Sequence, residues 1–256
     1  MAPDQTRCAK EANTPDGGLT QLANSLQTLL ALEPALQVHL IGHSAGSLVL
    51  GPLVGALHKR RIPLGSAHLY APACTVDFAN QHWLPYLGRR QADKNTFPLH
   101  VSILSDTMER LDSVALGGVM GYQKSLLYLV ARSFEEDTPS PLLGMHGAWD
   151  RSKLFGEWNN AAETLQALRD FERAVAELRP TGALVLDPPV NVPLVCTRTN
   201  AFGQPIAQSQ EGEPMDTRQR TAHGAFDCDA ALVLRTIERI RGGVALRQDL
   251  DLSEVP

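Results

Sequence analysis

The sequence predicts an α/β fold, a mainly parallel sheet flanked by helices. Three observations carry that expectation. The apolar run Val38–Ile41 ends in Gly42-His43-Ser44-Ala45-Gly46 and passes at once into a second apolar segment, the pattern of a strand, a sharp turn and a helix. Short strand-like runs then alternate with segments of helical period along the chain. The connectors between them carry Pro or Gly, as in Ile62-Pro63-Leu64-Gly65 and Ala71-Pro72-Ala73.

Each element has its own signal. Leu19, Leu22, Leu26, Leu29 and Leu30 predict a helix that ends near Leu32, before Glu33-Pro34. After the Val38–Ile41 strand, a helix running to about Arg61 carries Leu48, Leu50, Leu53, Val54 and Leu57, with Pro52 inside it. Ser66–Tyr70 reads as a second strand. Thr75–Arg90 reads as partly helical, limited by Pro85, and Arg89–Lys94 as a solvated loop. Leu99–Leu104 alternates as a third strand and ends at Ser105-Asp106. A loop with a solvent-facing Glu109 and with Asp112 follows, then Gly117-Gly118 and a helix at about Gln123–Glu136. Leu165, Leu168, Phe171, Val175 and Leu178 predict a helix over Ala161–Leu178, stopped by Pro180. Ala183–Leu186 and Val192–Thr197 are short strand candidates on either side of Pro188-Pro189. Asn200–Thr221 is a polar loop. The last helix, Asp229–Arg241, carries Leu232, Val233, Ile237 and Ile240 and ends at Gly242-Gly243.

Bulk properties narrow the function classes. The 256 residues are read as a single domain spanning 1–256. Within it, 1–18 is a polar leader, 137–160 an irregular excursion and candidate lid, and 244–256 a tail. A hydrophobic content of 43% with 20% charged residues is that of a folded globular chain. The net charge of −5 leaves no basic footprint for nucleic acid or an anionic membrane. No apolar run reaches spanning length and Met1–Asn13 is polar, so the expected location is cytoplasmic, with no membrane span. Cys8, Cys74, Cys196 and Cys228 form no C-x-x-C pair, which argues against a zinc site and a disulfide framework; neither metal nor cofactor is expected.

The chemistry lies in the turn. A serine at the tip of so tight a strand-to-helix connection is held clear of the sheet edge, and its neighbours two residues away are crowded. Glycine at 42 and 46 is expected to remove Cβ atoms that would collide there. The helix that follows favours developing negative charge near its N-terminus. The Ala45 N–H is the natural first donor of an oxyanion hole.

Gly42-His43-Ser44-Ala45-Gly46 in this setting resembles the nucleophile elbow of the α/β-hydrolase superfamily. The resemblance implies a Ser–acid–His triad in that chain order. It also implies an acyl substrate of small-molecule size and a serine hydrolase of the esterase or lipase type, acting on an ester, thioester or related acyl bond. A strand closing on Leu-Tyr-Ala-Pro-Ala resembles the family's strand after the elbow strand. His223, in Ala222-His223-Gly224-Ala225-Phe226-Asp227 before the last helix, resembles the family's base loop, and Gly224 leaves room for the imidazole to lean toward the serine. The other histidines are less well placed: His39, His68 and His100 lie in strands, and His43 is the variable residue of the elbow. For the acid, Asp106 follows the third strand directly, whereas Asp112 in Leu111-Asp112-Ser113-Val114 resembles the family's D-x-V. Asp106 is preferred because a strand end positions a group better than a loop. Asp227 and Asp229 read as caps of the last helix.

The resemblance starts only at the elbow. The family has four strands before it, and one of their loops donates the second oxyanion N–H. Here a polar leader and one helix precede Val38, and no His-Gly-Gly-Gly segment is present. The elbow strand is therefore expected at an exposed sheet edge, in a truncated form of a longer hydrolase or in a chain that self-associates or pairs with a partner chain along that edge. Loss of one oxyanion donor costs about 10²–10³ in rate. Two other functions compete. One is a weak or inactive hydrolase-fold binding module. The other is an acyltransferase, disfavoured because Ser47 stands where malonyl-type transacylases carry glutamate after Gly-His-Ser-x-Gly.

Overall fold

The computed structural model describes residues 14–88, 96–112, 114–116, 119–135, 138–150, 158, 160–192, 194, 223–226 and 229–243. The chain divides into two compact units, Met1–Asn191 and Val192–Pro256. The expectations for Arg89–Lys94, the tail, Asp227, the Asn200–Thr221 loop and most of Val192–Thr197 lie outside the described residues.

In the first unit, helix α1 (Gly18–Leu32) leads to strand β1 (Val38–His43), helix α2 (Gly46–Lys59) and strand β2 (Leu64–Tyr70). Helix α3 (Val76–His82) and a 3-10 turn (Leu84–Tyr86) precede β3 (Leu99–Ser102). Then come α4 (Asp106–Leu111), β4 (Val114–Leu116), β5 (Val119–Tyr122), α5 (Leu126–Ser133), α6 (His146–Trp149), α7 (Ala162–Leu178) and β6 (Leu184–Leu186). Strands β1, β2, β3 and β6 form one parallel sheet in chain order. Every crossover therefore advances one strand in the same direction. The strands end on one side of the sheet, with His43, Tyr70 and Ser102 in register there. β4 and β5 pair separately as an antiparallel hairpin.

Six of the seven residues of β2 are buried, which is what an interior parallel strand requires when both its faces are covered. Its polar side chains pair with those of the neighbouring strands. Ser66 Oγ lies 2.8 Å from His39 Nδ1 and 2.8 Å from His68 Nε2, and the His68 ring stacks on His100 at 4.7 Å. The expected strand histidines thus form one polar row across β1, β2 and β3. Leu48, Leu53, Val54 and Leu57 of α2 join Leu69, Trp83, Phe97, Leu99 and Phe171 in a single buried core. α1 packs on α2, α2 on α3, and α3 on α7, where Asn80 Nδ2 donates to the Ala167 carbonyl at 2.8 Å.

Several expectations need correction. The α1 stripe turns inward on Leu19, Ala23, Leu26 and Leu30, leaving Leu22 and Leu29 exposed. These inward positions follow the i, i+4, i+7 spacing more closely than a stripe through Leu22 and Leu29 does. The segment after Ser105 is helical because Ser105 caps it, its Oγ accepting from Met108 N at 3.2 Å. Glu109, expected to face solvent, is 1% exposed, since that helix turns it inward. The 137–160 excursion contains the short helix α6. Helix α5 starts at Leu126, capped by Ser125, rather than near Gln123.

Among the described residues β1 stands at the end of the sheet order, the edge position expected for the strand before the turn. Only part of it is covered: Leu40 is buried, while Ile41 is 52% exposed. Among the described residues no helix is long and apolar enough to cross a membrane.

The second unit contributes a 3-10 turn (His223–Ala225) and helix α8 (Ala230–Ile240). Asp229 caps α8 as expected, accepting from Leu232 N at 3.1 Å. Gly242 and Gly243 take the left-handed conformation that ends it, at φ 70° and 84°.

Candidate active site

The turn between β1 and α2 is built from backbone bonds. Ser44 has a φ of 52°, in the left-handed region that a non-glycine residue enters at a cost of roughly 1–2 kcal/mol. Its surroundings hold it there. The Ser44 N–H donates to the Tyr70 carbonyl at 2.9 Å, so the turn continues the β1–β2 ladder. The Ser44 carbonyl accepts from Ala73 N at 3.0 Å, Ser47 N at 3.1 Å and Ser47 Oγ at 2.8 Å. Ser47 Oγ in turn accepts from Cys74 N at 3.1 Å, and Trp83 Nε1 donates to the Ser47 carbonyl at 3.2 Å. Ala71, at φ 40°, donates to the Ser102 carbonyl at 2.8 Å. The exits of β1, β2 and β3 are therefore laced into one rigid rim.

The two elbow glycines differ. A Cβ on Gly42 would stand 2.8 Å from Leu50 Cδ1 and 3.2 Å from Leu69 Cδ2, the crowding expected of a tight elbow. A Cβ on Gly46 would meet nothing within 4 Å, so the expected collision there does not occur. Gly46 is simply the first residue of α2, where the backbone is helical and its outer side open. Ala45, beside Ser44, is exposed, and among the described residues its N–H donates to no backbone carbonyl. That leaves it able to receive an oxyanion.

A thiol lies close by. Cys74 is fully buried, and that burial pushes its thiol up to about 12, so it stays protonated. Ser44 is half-buried.

Asp106 lies in the first turn of α4, four residues beyond the end of β3. Its Oδ1 accepts from the Tyr128 hydroxyl at 2.6 Å and its Oδ2 from Arg110 Nε at 2.9 Å. β1 and β3 are two strand spacings apart, about 10 Å, and Ser44 and Asp106 each follow their strand at the same end of the sheet. Asp112 ends α4 and is half-buried. Beside both aspartates, burial pushes the Glu109 carboxyl up to about 8, with the Ser125 hydroxyl offsetting part of the rise and the charges of Asp112 and Asp106 adding to it. Among the described residues neither Glu109 oxygen has a well-formed hydrogen bond.

Sequence reasoning missed two residues at this end of the sheet. Asp187 directly follows β6, is 3% exposed, and takes a 2.6 Å hydrogen bond from Ser102 Oγ on its Oδ2. Its signal was the carboxylate between a strand candidate and Pro188-Pro189. Tyr128 had no signal beyond its place on a helical face. His223 opens the 3-10 turn of the second unit and is 5% exposed. The first unit brings Ser44 and Asp106 to one end of the sheet; His223 belongs to the other unit. Among the described residues no His, Cys, Asp and Glu group could hold a metal.

Comparisons with protein-family models, with curated proteins and with solved structures gave no match to this chain.

Proposed function

We propose that this chain is a serine hydrolase of the α/β-hydrolase type, cleaving an ester, thioester or related acyl bond of a small molecule. The observation that carries the reading is Ser44 at φ 52° on a parallel-strand-to-helix turn, held by bonds to its backbone. A strained residue over-determined by its surroundings is the usual signature of a functional position.

In this mechanism Ser44 Oγ attacks the acyl carbon while His223 takes the hydroxyl proton. The Ala45 N–H receives the oxyanion. His223 passes the proton to the leaving group, and Asp106 keeps the imidazole in the right tautomer and stabilises its charged form. A water then repeats the sequence on the acyl-enzyme and frees the acid. No cofactor takes part.

A second reading, a hydrolase fold retained for binding, draws support from the half-exposed Ile41 on an edge strand. A fluorophosphonate probe separates the two. Covalent labelling at Ser44 that disappears in Ser44→Ala and falls sharply in His223→Ala supports the hydrolase. Labelling that persists in Ser44→Ala, or is absent from the wild-type chain, refutes it.

A further inference from the structure

Tyr128 is buried, and the hydrolase mechanism as stated gives it no role. Its hydroxyl nevertheless makes one of the shortest side-chain hydrogen bonds of the first unit, 2.6 Å to Asp106 Oδ1. Three cations lie near the ring: Lys124 Nζ at 4.8 Å, Arg110 Cζ at 5.5 Å and Arg132 Cζ at 6.0 Å from its centre. The helix that carries it is bolted to the helix that carries Asp106, because Ser125 N donates to the Glu109 carbonyl at 2.8 Å and Ser125 Oγ caps α5. Arg110 takes the other carboxylate oxygen one helical turn on.

We propose that Tyr128 and Arg110 are positioning residues that clamp the Asp106 carboxylate, one donor per oxygen, and so fix the plane in which it can accept an imidazole N–H; this rests on the hydrolase reading. A carboxylate offers about four lone-pair sites, so two donors leave an acceptor site open on each oxygen. Charge-assisted hydrogen bonds of this length are strong and directional. A side chain with two rotatable bonds at the start of a short helix needs such bonds to hold a catalytic plane. The cations near the ring are attracted to its face and help to hold the phenol in place.

The test measures the second-order rate of fluorophosphonate labelling, split into probe affinity and maximal inactivation rate. It uses the full chain, Tyr128→Phe, Arg110→Gln, Asp106→Asn, and the two doubles with Asp106→Asn. Tyr128→Phe keeps the ring among its cations and removes one oxygen. Arg110→Gln changes a partly exposed side chain and reads the same carboxylate should the first variant not fold. Each single variant of the clamp should lower the maximal rate about tenfold, the loss expected for one hydrogen bond to a charged group, with probe affinity unchanged. Asp106→Asn should lower it further, and neither clamp substitution should add anything on that background, because each acts only through the carboxylate. A clamp substitution that costs as much in the Asp106→Asn background as in the wild type overturns the proposal, as does one without effect on the maximal rate. If Asp106→Asn leaves the rate unchanged, the clamp serves no catalytic acid, the proposal falls, and Ser44 stands. A wild-type chain that is not labelled at Ser44 removes the hydrolase reading and the clamp with it.

Discussion

Replacing Glu109 with glutamine should stabilise the first unit by an amount that grows with pH. Glu109 is 1% exposed, and its carboxyl is pushed by burial from an ordinary 4.5 up to about 8. Between those values the unfolded chain has released the proton and the folded chain still holds it, so the unfolded state binds fewer protons. Stability therefore falls as pH rises from about 4.5 through about 8, and levels off above. The cost is about 1 kcal/mol at pH 5 and about 4 kcal/mol at pH 8, a loss on the order of 3 kcal/mol across that window. Glutamine keeps the shape and cannot ionise. The difference between Glu109→Gln and wild type should open by that amount from pH 5 to pH 8, about 1 M in urea midpoint at a slope near 3 kcal/mol per molar. Tryptophan fluorescence is a suitable probe, since Trp83, Trp149 and Trp158 all belong to the first unit. Every other titrating group cancels in the difference. Two midpoint curves that stay parallel from pH 5 to pH 9 would falsify the raised carboxyl.

The two elbow glycines should respond in opposite directions. Gly42→Ala places a Cβ 2.8 Å from Leu50 Cδ1 and should cost about 1–3 kcal/mol in urea unfolding. Gly46→Ala meets open space on a helix and should be neutral or up to about 1 kcal/mol stabilising; equal costs at both sites would contradict the geometry. The edge of β1, with Ile41 half exposed beside it, should make the chain self-associate in sedimentation velocity, and Ile41→Lys should shift it toward monomer. A wild-type chain that sediments as a monomer at tens of micromolar, an order of magnitude set by common assay conditions, would dispose of the edge argument.

The parts of the fold that local sequence encodes were legible. The Gly42–Gly46 turn, the strand before it and the helix after it follow from steric and periodic rules that act within a dozen residues. The caps at Thr75, Ser105, Ser125 and Asp229 obey equally local rules, yet of these only Asp229 is expected as a cap from the sequence, and the six-residue helix after Ser105 is too short for an apolar stripe to show. Glu109 was misplaced for the same reason. Once α4 forms, its inward face is set by what packs against it, and a carboxylate there gives no hint of burial in the sequence. The antiparallel pairing of β4 with β5 has no counterpart in the sequence reading, where that stretch offers only the pair Gly117-Gly118, which lies outside the described residues. Non-local pairings left no trace at all: Tyr128 meets Asp106 across 22 positions and Ser102 meets Asp187 across 85. No periodicity in one chain reports a contact of that kind.

The elbow also bears on whether chemistry or binding is the purpose of the turn. Holding Ser44 in the left-handed region costs roughly 1–2 kcal/mol, which glycine would avoid. The bonds that hold the turn engage the Ser44 backbone N–H and carbonyl, and glycine supplies both groups equally well. At about 1 kcal/mol each, those bonds are enough to offset the strain. They give no reason for a side chain at that position. Beside it, Cys74 is kept protonated and buried, and Ser47 has its hydroxyl committed to the Ser44 carbonyl and the Cys74 N–H. Of the three hydroxyl- and thiol-bearing side chains at the elbow, Ser47 and Cys74 are buried in the interior and Ser44 is half-buried at the strained tip of the turn, next to the exposed Ala45. That difference in burial favours the proposed acyl-transfer reading over the binding module, because a nucleophile must be reachable by its substrate.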